Sequence, residues 1–323
     1  MIKYIILIFV MVFFSLNMGA SGIAPSFAST YGARLIKKKT AIFLFSFFVI
    51  LGAVILGRNV AITLGKDLLP KEVMRFDVVL VVLVAGALSL FLANVLRIPQ
   101  STSQVTVGAI VGAGLYFRQI NLKVLCFKIL PAWVILPLVS YFLTLLIYRA
   151  IYPPKHDNFH IYEKIFANEK KMKIAALVVS AYVSFAIGTN NVANAVGPLS
   201  GAGLIGIGAG LLIIAPFFGI GAFLMGDGPL ETAGKEIVPL GLMSSTLVSF
   251  VTATLLIVAS IIGIPQSLVQ LNLAAIFAIS CLKNGHKYTW DQHIVKKTFF
   301  VWTITPLLSV AVSYLLLNLF LKR

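Results

Sequence analysis

Charge is what this chain lacks most. Of its 323 residues only 11% are Asp, Glu, Lys or Arg, against roughly 25% in a soluble domain. Hydrophobic residues make up 59%, and the mean hydropathy is +1.00. An ordinary cytosolic enzyme and a disordered chain are both excluded. Cysteine is nearly absent too. Cys126 and Cys281 lie in or beside apolar stretches. They exclude a disulfide-rich secreted scaffold and read as packing residues. Acids number ten, and none lies inside a long apolar run. The four histidines, His156, His160, His286 and His293, fall in polar connections. An intramembrane enzyme that used a metal or a carboxylate would need such groups buried together. The sequence therefore calls for no catalytic residues, no metal and no cofactor. At about 20 apolar residues per crossing, the chain has room for ten membrane segments and short loops.

What the chain has in excess is positive charge, 26 Lys and Arg against 10 acids, a formal net charge of +16. In a soluble protein this would suggest nucleic acid. Here the basic residues lie mostly between apolar runs, as at Arg34, Lys37–Lys39 and Lys170–Lys173. That is the positive-inside pattern of loops beside anionic headgroups. The partner is a lipid bilayer, not a nucleic acid.

The chain also repeats itself. Gly19-Ala20-Ser21-Gly22 matches the small-residue character of Gly188-Thr189-Asn190-Asn191, 169 positions on. The same offset aligns Gly52-Ala53 with Gly221-Ala222, Gly65-Lys66-Asp67 with Gly234-Lys235-Glu236, and Pro70 with Pro239. It returns at Trp133, Pro137, Leu138 and Ser140, which match Trp302, Pro306, Leu307 and Ser309. Ile98-Pro99-Gln100-Ser101 matches Ile264-Pro265-Gln266-Ser267 at offset 166. Chance similarity between apolar helices does not hold one register across rare Trp, Pro and Lys.

Each half reads as five apolar segments. The first half, 1–150, places them at 2–18, 40–57, 77–97, 99–117 and 122–150. The second, 172–323, places them at 172–189, 208–226, 240–263, 265–282 and 294–321. Residues 151–171 form the linker. The opening run also resembles a secretory signal, but its tail has a counterpart at 186–199, so we read it as a transmembrane helix. An odd number of crossings per half would invert the second half. Charge supports this, because basic Arg34–Lys39 aligns with uncharged Gly203–Gly208. The N-terminus then lies outside and the linker in the cytoplasm. One stretch conflicts: 58–76 reads as an outer loop, yet it carries Arg58, Lys66, Lys71 and Arg75.

Secondary transporters are built from inverted repeats with interrupted helices, and the substrate lies at half-helix ends near the midplane. Two pairs of interruptions are legible. The first is Gly19–Pro25, which includes Ser21, with Gly188–Pro198. Small and amide residues there are expected to unwind the helix. Asn190, Asn191 and Asn194 are costly in an apolar segment without partners. Packing through small residues is the plainer alternative. The second pair is Pro99–Gln104, with Ser101, Thr102 and Ser103, and Pro265–Gln270, with Gln266 and Ser267. Proline suits a first helical turn. The free N–H groups of such a turn bind anions, and two facing N-termini supply about +0.5 charge each. A capped helix between two spans is the alternative. Gly201–Gly210 suggests a loop or close packing rather than a nucleotide site.

These motifs resemble the inorganic phosphate transporter (PiT) family, and within it the bacterial sulfate permease branch (CysP type). Gly188-Thr189-Asn190-Asn191-Val192-Ala193-Asn194-Ala195 is similar to the family signature G-A-N-D-V-A-N-A. Pro99-Gln100-Ser101-Thr102-Ser103 is similar to P-V-S-T-T. The resemblance implies an importer of an oxyanion with cations, often a homodimer. The signature Asp is replaced by Gly22 and Asn191. A site of amides, hydroxyls and backbone N–H suits fully ionised sulfate. A carboxylate would repel sulfate but accept the proton of phosphate. Without that Asp the expected coupling ion is a proton rather than sodium, and Asp227 and Glu231 are its candidate carriers. The expectation is thus an all-α polytopic protein of the cell membrane with two inverted repeats and re-entrant helices at their interface. It would import sulfate by cation symport with alternating access. A phosphate permease and a passive anion channel or exchanger are the rivals.

Overall fold

The computed structural model describes residues 2–95, 100–226 and 240–321, and among them it contains helices and no strand. Among the described residues, seven helices are long and apolar enough to cross a membrane. In the first half they are α1 (Ile2–Gly32), α2 (Lys38–Leu56) and a helix at Leu122–Ile151. Between α2 and the latter lie α3 (Arg58–Ile62), α4 (Phe76–Val95) and α5 (Thr102–Phe117), so Leu122–Ile151 is α6. The linker carries the short α7 (Phe159–Phe166). The second half comprises α8 (Glu169–Gly201), α9 (Ile207–Met225), α10 (Leu242–Ile261), α11 (Leu268–Asn284), the short α12 (His286–Asp291) and α13 (His293–Leu321). The chain is a multi-pass membrane protein. Its lipid-facing rows are long aliphatic and aromatic side chains such as Phe43, Val134, Phe142 and Phe223, as a bilayer requires.

The two halves interlock crosswise. α1 packs on α9, and α2 packs on α8. The closest approaches recur at offset 169. A Cβ on Gly19 would collide with the Phe218 carbonyl, and one on Gly188 with the Val49 carbonyl. Gly221 meets Leu16 in the same way that Gly52 meets Phe185. With lipid outside, helices gain little from the hydrophobic effect, so close backbone contact through glycine does the packing. α5 lies on α13 and α11 on α6. Ser309 Oγ donates to Val105 O at 2.7 Å, and its mate Ser140 Oγ donates to Leu271 O at 2.9 Å.

The apolar segments fall close to where the periodicity puts them, with three corrections. α1 runs on to Gly32 instead of ending near residue 18. The stretch Gly19–Pro25 does not unwind, and Gly188–Pro198 is interrupted only at Val192. The small residues are consumed by packing, and the hydroxyls bond back along the helix: Ser26 Oγ donates to Gly22 O and Ser15 Oγ to Met11 O. The expected outer loop 58–76 is folded. It holds α3 and a π-helical turn at Thr63–Asp67, and it buries Val60, Leu64, Leu68, Leu69 and Met74. Cys281 is buried, but Cys126 is exposed and is not a core residue.

α5 and α11 position the site. They have 16 and 17 residues, or about 24–26 Å at 1.5 Å per residue, less than the ~30 Å hydrocarbon core. Their N-terminal turns are enclosed by protein: every residue from Gln100 to Ile110 is buried. Both helices therefore start inside the bundle rather than at its end.

Candidate functional site

Each buried helix start is built by a serine cap. Ser101 has φ −90 and ψ 116, and its side chain accepts from Gln104 N at 3.2 Å. Ser267 has φ −87 and ψ 111, and accepts from Gln270 N at 3.2 Å. The cap satisfies one first-turn N–H. Helix geometry leaves the preceding N–H groups without intrahelical partners. Trp133 holds the second start by donating from Nε1 to Pro265 O at 2.8 Å.

The polar stretch of α8 around its interruption at Val192 sits between the two starts. Asn190 Nδ2 donates to Ser260 Oγ at 2.9 Å and to Ile264 O at 3.0 Å. Its Oδ1 accepts from Gln266 N at 3.1 Å and from Ser103 Oγ at 3.3 Å. Ser103 Oγ also lies 3.1 Å from Gln266 O. Asn194 Nδ2 reaches Thr102 Oγ1 and Ser103 Oγ, both at 3.3 Å. The structure thus brings together Ser101, Thr102, Ser103, Asn190, Asn194, Gln266 and Ser267, with Asn191 buried next to Asn190 in the chain but bonded to none of them. Asn190 is fully engaged with protein, so it fastens the two starts together. Ser21 does not join them: its Oγ donates to Met18 O at 3.0 Å within α1. Asp227 and Glu231 lie outside the described residues.

Three glutamines belong with this group beyond the expected residues. Buried oxygens without a hydrogen-bond partner include Oε1 of Gln100, Gln104, Gln266 and Gln270, and Oδ1 of Asn191 and Asn194. Left bare, such groups cost about 1–3 kcal/mol each. Six would rival the ~5–15 kcal/mol net stability of a whole domain. Such a set persists where it faces a ligand or water. The repeated P-Q-S-x-x-Q pattern in both halves was the signal for Gln104 and Gln270. Chemically the cluster is neutral. Amide NH2 groups, hydroxyls and helix N-termini favour an anion. Amide oxygens favour a hard cation beside it.

The sequence profile of the phosphate transporter family matches residues 18–166 and 155–313. The chain belongs to that family. It is 39% identical over 311 residues to the sulfate permease CysP of Bacillus subtilis (strain 168), covering 96% of this chain and 86% of that protein. It is 24% identical to a putative phosphate permease of Methanocaldococcus jannaschii, covering 93% and 92% of the two chains. The fold is similar to a solved sodium-dependent phosphate transporter, with TM-score 0.82, 22% identity, and coverage of 98% of this chain and 99% of that one. Membership assigns the chain to membrane transport of an inorganic anion. It also gives the buried helix starts a context, since they stand where both matched stretches carry their repeated I-P-Q-S motif.

Proposed function

We propose that this protein imports sulfate across the cell membrane by cation symport with alternating access, between inverted repeats at 1–150 and 172–323 joined by a cytoplasmic linker at 151–171. The observation that carries the reading is the site's neutrality. Its polar lining consists of hydroxyls, amides and helix N-termini, and no carboxylate is bonded to it among the described residues. A dianion is held there by donors without meeting a competing anion. A phosphate ion that keeps a proton finds no carboxylate to accept it. The similarity to the Bacillus subtilis sulfate permease supports the same substrate. In this reading the N-terminus faces outward. The ion pair between Lys3 and Asp77, 3.7 Å apart, puts that terminus at the same end as the 58–76 segment.

Energetics requires a coupling ion. A dianion entering a cell held about 100 mV negative inside pays about 4.6 kcal/mol, at ~2.3 kcal/mol per charge. At least two cations must accompany it. The missing signature Asp favours protons. The six bare amide oxygens give a second reading a specific basis, because they could coordinate sodium. The test is uptake of labelled sulfate and phosphate into proteoliposomes under an imposed proton gradient, an imposed sodium gradient, or neither. Concentrative sulfate uptake driven by one cation is expected and names that cation. Phosphate uptake in its place overturns the substrate. Equilibration without cation dependence moves the protein to the passive class.

A further inference from the structure

The positive-inside rule does not explain one end of this molecule. The segment 58–76 and the segment 118–128 together hold seven Lys and Arg against two acids, Asp67 and Glu72. They lie at one end of the bundle: Asn121 N donates to Leu68 O at 3.0 Å, and the Arg75 guanidinium sits 5.7 Å from the centre of the Phe117 ring. In the orientation above this end faces out, where topology disfavours such an excess. The opposite end, with Arg34 and Lys37–Lys39, already supplies the cytoplasmic signal. The outer charge therefore has another cause.

Lys128 shows what that cause is. Most of these cations, Arg58, Lys66, Lys71 and Arg75 among them, are exposed, whereas Lys128 is half-buried. Its Nζ donates to Thr63 Oγ1 at 3.4 Å, and Thr63 Oγ1 donates to Asp67 Oδ2 at 3.2 Å. Both partners sit on π-helical turns, Leu125–Ile129 and Thr63–Asp67. Such turns interrupt a helix to aim side chains and recur at functional sites. Thr63 in turn lies against the approach to the second helix start. A Cβ on Gly263, with φ +71, would stand 3.1 Å from Thr63 Oγ1 and 3.0 Å from Asn59 O, and Asn59 Nδ2 donates to Ile261 O at 2.7 Å. Three residues past Gly263 is Gln266. Lys128 is thus bonded to a neutral hydroxyl. An ammonium has three donors, so it has capacity left for an anion.

We propose that this end of the molecule is an anion-capturing vestibule, and that Lys128 is its innermost cation, which receives the oxyanion before it reaches the helix start at Gln266–Ser267. The exposed Arg58, Lys66, Lys71 and Arg75 raise the local oxyanion concentration by field alone. Lys128 binds it directly. The inference rests on the transport reading above.

The test is uptake kinetics in proteoliposomes with sulfate or, if wild type prefers it, phosphate. Lys128→Gln is expected to raise KM about five- to tenfold at low ionic strength with kcat unchanged. Lys128→Arg restores the wild-type KM. The difference between Lys128→Gln and wild type shrinks as salt screens the field. Lys66→Gln, at an exposed position, raises KM about twofold and keeps the vestibule testable if Lys128→Gln does not fold. An unchanged KM in both Gln variants, or a fall in kcat at unchanged KM, overturns the vestibule. Wild type that takes up neither anion overturns the transport reading itself, and this shows in the control before any variant is compared.

Discussion

The two buried helix starts share a frame and differ in content. Their caps superpose in kind: serine at nearly the same φ and ψ, each accepting at 3.2 Å from the glutamine three residues on. The next two positions part company. They are Thr102 and Ser103 in one copy, Leu268 and Val269 in the other. The long helices α1 and α8 differ in the opposite sense. At the positions of Ser21, Gly22 and Pro25, α8 carries Asn190, Asn191 and Asn194. The polar groups of the first half's helix start thus meet those of the second half's long helix, through Ser103 to Asn190 and Thr102 to Asn194. Duplication supplied the frame twice. The polar cluster is composite and asymmetric: it joins the first half's helix start, α8 and the second half's helix start at Gln266, whereas Ser21 of α1 bonds only within its own helix.

The sharpest way to break that comparison is to treat matched positions alike. Asn190→Ala removes the side chain that holds Ser260, Ile264, Gln266 and Ser103 at 0% exposure. It strands several buried donors and acceptors, at about 1–3 kcal/mol each. We expect a loss of at least about 3 kcal/mol, seen in thermal unfolding, and abolished uptake. Ser21→Ala, its counterpart, removes a hydroxyl bonded only to its own helix and should change stability by less than about 0.5 kcal/mol. Equal losses at the two positions would make the halves equivalent and end the composite-site argument.

A second pair separates charge from packing. Asn191 presents a buried, partnerless oxygen at 8% exposure. If Asn191 faces the proposed dianion, Asn191→Asp puts a carboxylate against it. Sulfate uptake should fall at least about tenfold, the equivalent of ~1.4 kcal/mol, with the melting temperature nearly unchanged. Gly22→Asp, the same signature position in the first half, points its Cβ at the Phe45 ring, 3.0 Å from Cζ, with Ile187 next nearest at 3.6 Å. That substitution should lower the melting temperature as well as transport. A selective transport loss at Gly22 would show the first copy of the signature lining the site after all.

Much of this was legible in the sequence, because membrane helices advertise themselves. The lipid demands long apolar runs, and the duplication lets each copy vouch for the other. The two helix starts were legible from their proline and hydroxyls, but their detail was not: proline was expected in the first turn, whereas Pro265 lies outside the helix, two residues before the capping Ser267. The helicity of Gly19–Pro25 was misread, since small residues that loosen a helix in water are packing surfaces in a bilayer. The fold of 58–76 was hidden by its charges, which mask Leu64, Leu68 and Leu69 beneath them. Asn190 looked like a ligand because its partners, Ser260 through Gln266, lie 70 to 76 residues away in sequence. Only the tertiary structure shows that its hydrogen bonds are already spent.

The finest test concerns the caps. Ser101→Ala and Ser267→Ala each remove one side-chain cap, worth about 1 kcal/mol. The two single variants should lower thermal stability by the same amount, because their backbone geometry and hydrogen bonds are the same. Their effects on uptake should differ. Ser101 sets the orientation of Thr102 and Ser103, which bond to Asn194 and Asn190. Ser267 precedes Leu268 and Val269, which carry no polar group to misplace. Uptake should therefore fall further in Ser101→Ala, and the double variant should be crippled while still folded. Matching uptake losses from matching stability losses would mean that the anion is held by the two N-terminal dipoles alone. The hydroxyls and asparagines would then serve only to bring those dipoles together.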